Sequence, residues 1–282
     1  MAGRPVSEPT EGVRAVDGYQ IGAFARPWTT FTWDEFLSGV AGAGYRYMGF
    51  MRHPEAELLP GTSEGNIAWV KDALDRHGLE PTSEISLHHT SRCPLHEGTE
   101  AAVQEACAQI DVMAAVGVPY YISCGTPEES LYETLFTVLR EAAAYGAERG
   151  VTVTLKPHGG PGATCRDLLR VVEIVDHPNF AIYYDPGNVL YYTGRGPLEH
   201  LDEVAPHVVG AIIKDQTGGV GAPVTIEPGT GDVDFAAMFG ILRAGGFTSG
   251  PVMVECLGGD GLEDTNVRAA RVREKVEGWL SG

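Results

Sequence analysis

The amino-acid sequence predicts a single closed (β/α)8 barrel, on three observations. Eight short runs rich in β-branched and aromatic residues are each followed by a polar loop and a longer helical segment. The chain has 282 residues, close to the roughly 250 of one α/β barrel. Every one of the eight expected strand ends carries polar side chains, most of them ionisable, and strand ends are where such barrels hold their chemistry.

The runs appear in order as YQIGAF, YRYMGFM, LEPTSEISL, VPYYISC, VTVTLKP, FAIYYDP, VVGAIIKD and PVMVECL. Their helical followers include WDEFLSGVAGAG, NIAWVKDALDRHG, AAVQEACAQIDVMAAVG, SLYETLFTVLREAAAYGAERG, RDLLRVVEIVD, LEHLDEVAP, DFAAMFGILRAGG and NVRAARVREKVEGWL. Gly44, Gly78, Gly117, Gly150 and Gly246 stand where helices should stop. Asp234, just before an apolar helical run, reads as an N-cap. Residues 1–18 are polar, rich in Pro and Gly and without a period, and are expected to be a tail or strap; residues 19–282 are expected to be the barrel. A doubly wound open sheet is the structural alternative. It calls for a Gly-rich dinucleotide turn after the first strand, which ARPWTTF is not.

Composition narrows the partners. With 38 acidic against 20 basic side chains the net charge is −18, which excludes a phosphate-tracking nucleic-acid binder and an anionic-membrane binder. The same field repels anionic substrates unless a local cluster of cations overcomes it. No apolar run approaches the roughly 20 residues of a bilayer span, and the N-terminus has no apolar signal core. Five cysteines show no paired spacing and fit a reduced, cytoplasmic setting. The expected partner is a small polyol or sugar-like molecule; a homo-oligomer is left open.

The rim positions are, strand by strand, Arg26-Pro27-Trp28, Arg52-His53, His88-His89, Ser123-Cys124, Lys156 through Gly160 with His158, Asp185 through Asn188, Lys214-Asp215-Gln216 and Glu255. Alternation along a strand selects among them. Val153 and Leu155 outward leaves Thr154, Lys156 and His158 inward; Tyr184 outward leaves Tyr183 and Asp185 inward; Val254 outward leaves Met253 and Glu255 inward. Lys156, Asp185 and Glu255 therefore converge on the barrel axis. One member each of His88-His89 and Lys214-Asp215 is expected inward. Cys124 reads as a core thiol, since no Cys-His pairing is visible. Trp28, Phe50, Tyr183 and Tyr191 are candidates for a wall on which a sugar ring could stack.

At LKPHGG (155–160), YDPGNV (184–189), IIKD (212–215), EPGTGDVDF (227–235) and VECLGG (254–259) the sequence resembles the xylose isomerase-like TIM-barrel superfamily, the sugar phosphate isomerase/epimerase family with inosose dehydratase-like relatives. The likeness covers residues from about 19 to 280 and is strongest from Val151 onward. It implies a divalent cation (Mn, Mg or Zn) held by Glu on strand five, Asp on strand six, His on strand seven and Glu on strand eight. Asp185 and Glu255 match that pattern. Lys156 stands in place of the first Glu, Gly210 and Ile212 in place of the His, and Asn188 in place of a common further His. A charged ammonium has no lone pair to give a cation. Two outcomes are thus expected: Lys156 pairs with Asp185 or Glu255 and replaces the cation, or a cation sits on Asp185 and Glu255 with His158 or Asp215 as substitute ligand and Lys156 faces the substrate. In the first case Lys156→Glu is expected to recreate a metal site.

The function implied is proton transfer next to a carbonyl of a sugar, keto-sugar or cyclitol, an isomerisation or epimerisation, with β-elimination as the alternative and no nucleotide cofactor. Lys156, His158 and Glu255 are the catalytic candidates, with Glu255 or His158 as base; Arg26, Trp28, His53, His89, Asn188 and Lys214 are the substrate-binding candidates. A sugar-binding or partner subunit without catalysis, and a metal-dependent nuclease of abasic DNA, are the readings from other classes; the second lacks a basic surface. As rim residues, Asp185 and Glu255 are expected to add little to stability.

Overall fold

In the computed structural model, which describes residues 18–51, 53–56, 58–86 and 94–282, eight parallel strands pair in chain order and the last closes on the first. They are β1 (Tyr19–Phe24), β2 (Tyr47–Phe50), β3 (Glu80–Ser86), β4 (Tyr120–Ser123), β5 (Thr152–Leu155), β6 (Phe180–Tyr184), β7 (Val208–Ile213) and β8 (Gly250–Val254). The helices that cover them are α1 (Trp33–Gly42), α2 (Glu64–His77), α3 (Thr99–Val116), α4 (Tyr132–Ala147), α5 (Cys165–Val175), α6 (Pro186–Thr193), α7 (Leu201–Val204), α8 (Phe235–Ala244) and α9 (Gly261–Ser281). The closed sheet rules out the doubly wound alternative. Residues 1–17, the body of the expected strap, lie outside the described residues. None of the described helices is long and apolar enough to cross a membrane.

Local sequence accounts for most boundaries. All five helix-stop glycines adopt positive φ, between 66° at Gly78 and 106° at Gly246, the region L side chains avoid. Thr32 and Thr164 close capping boxes with Glu35 and Asp167, and Asp234 caps α8 by accepting from the Ala237 N–H. The segment after β6 departs from the expectation of a plain rim loop followed by one helix. Asp185 caps a separate helix, α6, by accepting from the Asn188 N–H, and Pro186 occupies the first helical position.

Alternation divides the apolar residues into two layers. Between sheet and helices lie Val153, Leu155, Ile182, Tyr184, Ile213, Val252 and Val254 with the helix faces. Inside the barrel, Phe24, Ile85, Ile122, Cys124, Tyr183, Ile212 and Met253 form a compact plug. The Tyr183 ring fits because a register shift in β6 sets it opposite Gly210, where an added Cβ would lie 2.5 Å from the ring; its hydroxyl pairs with Ser83 Oγ at 3.0 Å. The plug forms the floor on which the rim residues stand.

Gly210→Val, a favourable change for a strand taken alone, is therefore expected to cost about 1–3 kcal/mol through overpacking. That corresponds to a fall in melting temperature of roughly 5 °C for a chain of this size. Gly240→Ala, on an exposed face of α8 with nothing within 4 Å of the new methyl, is expected to raise stability by about 0.5–1 kcal/mol. Calorimetry of both variants checks the assignment of Gly210 to the plug.

Candidate functional site

Five strand ends each supply one ionisable side chain two residues beyond an inner residue: Lys156 beyond Thr154, Asp185, Lys214 and Glu255 beyond the plug residues Tyr183, Ile212 and Met253, and Arg26, in the turn after β1, beyond Phe24. The barrel ladder carries on far enough to fix two of them, with the Lys156 N–H donating to Ser123 O at 3.0 Å and the Glu255 N–H to Ile213 O at 3.2 Å. The five side chains converge on the axis.

Glu255 is the centre of the cluster. Its Oε2 accepts from Lys156 Nζ at 2.6 Å, and its Oε1 lies 2.6 Å from Lys214 Nζ and 2.8 Å from Arg26 Nη1. Asp185 uses Oδ1 to cap α6 at 3.0 Å, while Oδ2 lies 3.2 Å from both ammonium groups. Lys214 also donates to Asn188 Oδ1 at 3.0 Å, so its three N–H donors face three acceptors. Lys156 has two acceptors among the described residues and keeps one donor. Asn188 in turn donates from Nδ2 to Pro157 O at 2.6 Å and so ties α6 to the loop after β5. Gly187 lets this happen: a Cβ there would lie 2.6 Å from the Lys214 stem.

The electrostatics follow from that packing. Lys156, Asp185 and Glu255 are at most 1% exposed. Burial alone would push the Glu255 carboxyl up, but Lys156, Lys214 and Arg26 outweigh it and hold it well below the usual carboxylate range. Burial would likewise lower Lys156, and Glu255 and Asp185 outweigh it, so the ammonium is held above the usual lysine range. Lys156 is thus a firmly protonated donor rather than a base or a Schiff-base amine. Cys124 lies in the plug with its thiol pushed up to about 11, chiefly by burial, which leaves no nucleophilic thiolate at neutral pH.

His158, half-buried one inward step above Lys156, lies 3.0 Å from the Tyr192 hydroxyl, and its ring stacks at a tilt 4.8 Å from the Tyr192 ring. Sequence reading missed Tyr192. The signal was present: Asp185-Pro186 is a helix start, and Asn188 and Tyr192 fall four residues apart on one face of the helix it begins.

Other candidates are placed elsewhere. Asp215 points away from the axis and accepts four backbone N–H groups, from Gln216, Gly229, Gly231 and Val233 at 2.8–3.1 Å, so it anchors the Gly-Thr-Gly-Asp loop. Trp28 is buried against Phe36, and its indole donates to Asn266 of α9 at 2.8 Å. His53 is buried among Trp33 and Phe36, and burial lowers its pKa. Phe50 stacks on Trp33 and Tyr183 belongs to the plug, so the four-membered aromatic wall does not form. Arg52, His88 and His89 lie outside the described residues.

These residues do not fit a divalent cation. Two ammonium groups lie within 3.2 Å of the carboxylates Asp185 and Glu255, and among the described residues no three His, Cys, Asp or Glu side chains come together as ligands. A unit positive charge about 4 Å from an ammonium is repelled by about 4 kcal/mol at an effective dielectric near 20. Lys156→Glu is therefore not enough to recreate a metal site, because Lys214, expected at the rim as a substrate-binding residue, sets a second ammonium on the same two carboxylates.

The expectation that Asp185 and Glu255 add little to stability also changes, since both are buried ionic partners. Glu255→Gln leaves three cations around a neutral amide, and its expected cost is about 3–5 kcal/mol, roughly 10 °C in melting temperature. A depressed carboxyl contributes stability that is present above about pH 4.3 and lost as pH falls through its folded value. The raised Lys156 contributes stability that is present below about pH 10.4 and lost as pH rises through its own. The melting-temperature gap between the native chain and Glu255→Gln is accordingly expected to be flat from about pH 5 to 10 and to close in acid.

The description "xylose isomerase-like TIM barrel" belongs to the family model that matches residues 37–280. A comparison with curated proteins finds no match. Among solved structures, a xylose isomerase-like TIM barrel protein from Mycobacterium smegmatis in complex with magnesium is similar, with a TM-score of 0.74 and 18% identity over 95% of this chain and 99% of that one. A D-allulose 3-epimerase from Methylomonas sp. gives 0.73 and 19% over 93% and 98%. A probable 3-DHS dehydratase from Bacillus anthracis gives 0.69 and 13% over 89% and 97%. With a closed eight-stranded barrel and a family match over most of its length in agreement, this chain belongs to the xylose isomerase-like TIM-barrel family.

Proposed function

We propose that the chain is a keto-sugar isomerase or epimerase that moves a proton next to a carbonyl and uses an ammonium group, Lys156, as its electrophile. The observation that carries this reading is the Lys156 ammonium clamped between Glu255 at 2.6 Å and Asp185 at 3.2 Å, two acceptors for its three donors among the described residues. An enediolate oxygen needs a donor fixed in place before charge develops on it, in a site with little water to reorganise. Lys156 meets that need; Asp185 and Glu255 hold it, and Lys214 and Asn188 hold them. Kinship with sugar epimerases in fold supports the substrate class.

The base in this reading is His158 rather than Glu255. A carboxylate that three cations hold well below its usual range is a weak proton acceptor, whereas imidazole is the side chain best suited to moving protons near neutral pH. The Tyr192 hydroxyl beside it fixes the ring and offers a second donor. The same pair could deliver a proton to a departing hydroxyl, the step that β-elimination needs, and the likeness to a probable dehydratase keeps that reaction in the test.

The test is a set of ketohexoses and cyclitol ketones incubated with the protein in D2O and followed by NMR. Deuterium entering at a carbon next to the carbonyl is the expected result; a conjugated enone with loss of hydroxyl would assign the elimination instead, and saturable binding without exchange would assign a sugar-binding role. Lys156→Met is expected to lower kcat by about 10²–10³-fold, and His158→Gln by about 10²–10⁴-fold. Protein stripped with a chelator is expected to keep its turnover; turnover that vanishes and returns with Mn or Mg would overturn the ammonium mechanism and leave the sugar chemistry standing.

A further inference from the structure

The charges at the barrel mouth do not cancel. Lys156 and Lys214 are matched by Asp185 and Glu255, but Arg26 brings no carboxylate of its own and shares Glu255 Oε1 with Lys214. Among the described residues three cations thus face two anions, in a chain whose overall charge is −18. Among the described residues Glu255 is the single ion-pair partner of Arg26. The guanidinium uses Nη1 for that contact, and the side chain remains 38% exposed. It lines a groove of about 520 Å³ between the loops that follow β1 and β8, together with Thr29, Thr225, Gly258 and Gly259. Of the two acidic residues in the first turn of α9, Glu263 and Asp264, Asp264 is already held by Arg268 at 2.8 Å and by the Asp260 N–H at 2.9 Å.

A neutral sugar can accept hydrogen bonds from a guanidinium but does not balance its charge, and a half-buried cation that shares its one carboxylate with two ammonium groups is costly to keep. An anion, by contrast, is disfavoured by the overall charge of −18 and favoured at a local surplus of positive charge. We propose that the substrate is a sugar acid, and that Arg26 anchors its carboxylate. Planar geometry favours this group, because the remaining guanidinium donors form a fork that a carboxylate accepts two at a time. Charge favours it as well: the surplus is one unit, which a carboxylate balances, while a phosphate monoester brings nearly two. The inference rests on the keto-sugar reading above and narrows it to keto-acids of sugars.

Calorimetric titration of the full chain with three probes, D-fructose, D-fructose 6-phosphate and 5-keto-D-gluconate, tests it at low ionic strength. The keto-gluconate is expected to bind about tenfold or more tightly than fructose. Arg26→Gln should weaken keto-gluconate binding about tenfold more than it weakens fructose binding, and Arg26→Lys, which retains the charge and the fold if the glutamine variant does not, should keep part of that preference. Equal affinities for fructose and keto-gluconate, a preference for the phosphate, or an Arg26→Gln variant that weakens both sugars alike would overturn the carboxylate anchor. Fructose binding with no carboxylate advantage leaves the keto-sugar reading intact; binding of none of the three overturns both.

Discussion

A single carboxylate, buried to 99% and shared by three cations, determines how the rest of the barrel mouth is arranged. Glu255 could not remain ionised there without Lys156, Lys214 and Arg26, and none of the two lysines could remain buried without it. That mutual dependence fixes the direction of the Lys156 ammonium and leaves it one donor. It also leaves Arg26 half outside, and it draws Asp185 in as the second anion. Because Asp185 is at the same time the cap of α6, the ionic centre is connected through a helix end to Asn188 and Tyr192. The mouth is therefore one interlocked unit rather than a row of independent rim residues.

Much of this was legible in the sequence because barrel architecture converts two simple periods into positions. Alternation along β5, β6 and β8 was enough to bring Lys156, Asp185 and Glu255 to the axis, and glycines marked the helix ends at which those strands restart. The pair Lys214-Asp215 could be split only in part, since the sequence said that one member points inward but not which. The deciding factor, the four backbone N–H groups that converge on Asp215, is a property of a folded loop and leaves no mark in a side-chain pattern. Trp28 was misread for a related reason: a strand end beside a helix can send a large indole outward, and its partner Asn266 lies far along the chain. Tyr192 was missed because a helix of only eight residues was taken for loop.

The fold is shared with proteins of differing chemistry, and a shared barrel does not carry its chemistry with it. In this chain two ammonium groups, Lys156 and Lys214, occupy the carboxylate pair Asp185 and Glu255. Hydrogen-bond donation from nitrogen can stabilise a developing oxyanion as a Lewis acid does, but with a fixed direction and with protons that the site keeps. In the proposed mechanism such a centre depends on the charge of Lys156 rather than on the supply of a metal.

The pairing of Lys156 with Lys214 also constrains how such a site could have arisen. Consider a lineage moving one residue at a time between a cation-holding mouth and this one. Exchanging a carboxylate for lysine on β5 first would leave an ammonium in competition with the metal at the same two anions. Exchanging the β7 residue first would do the same from the opposite side. Lys156 and Lys214 share the same two carboxylates, so a change at either position is felt at the other.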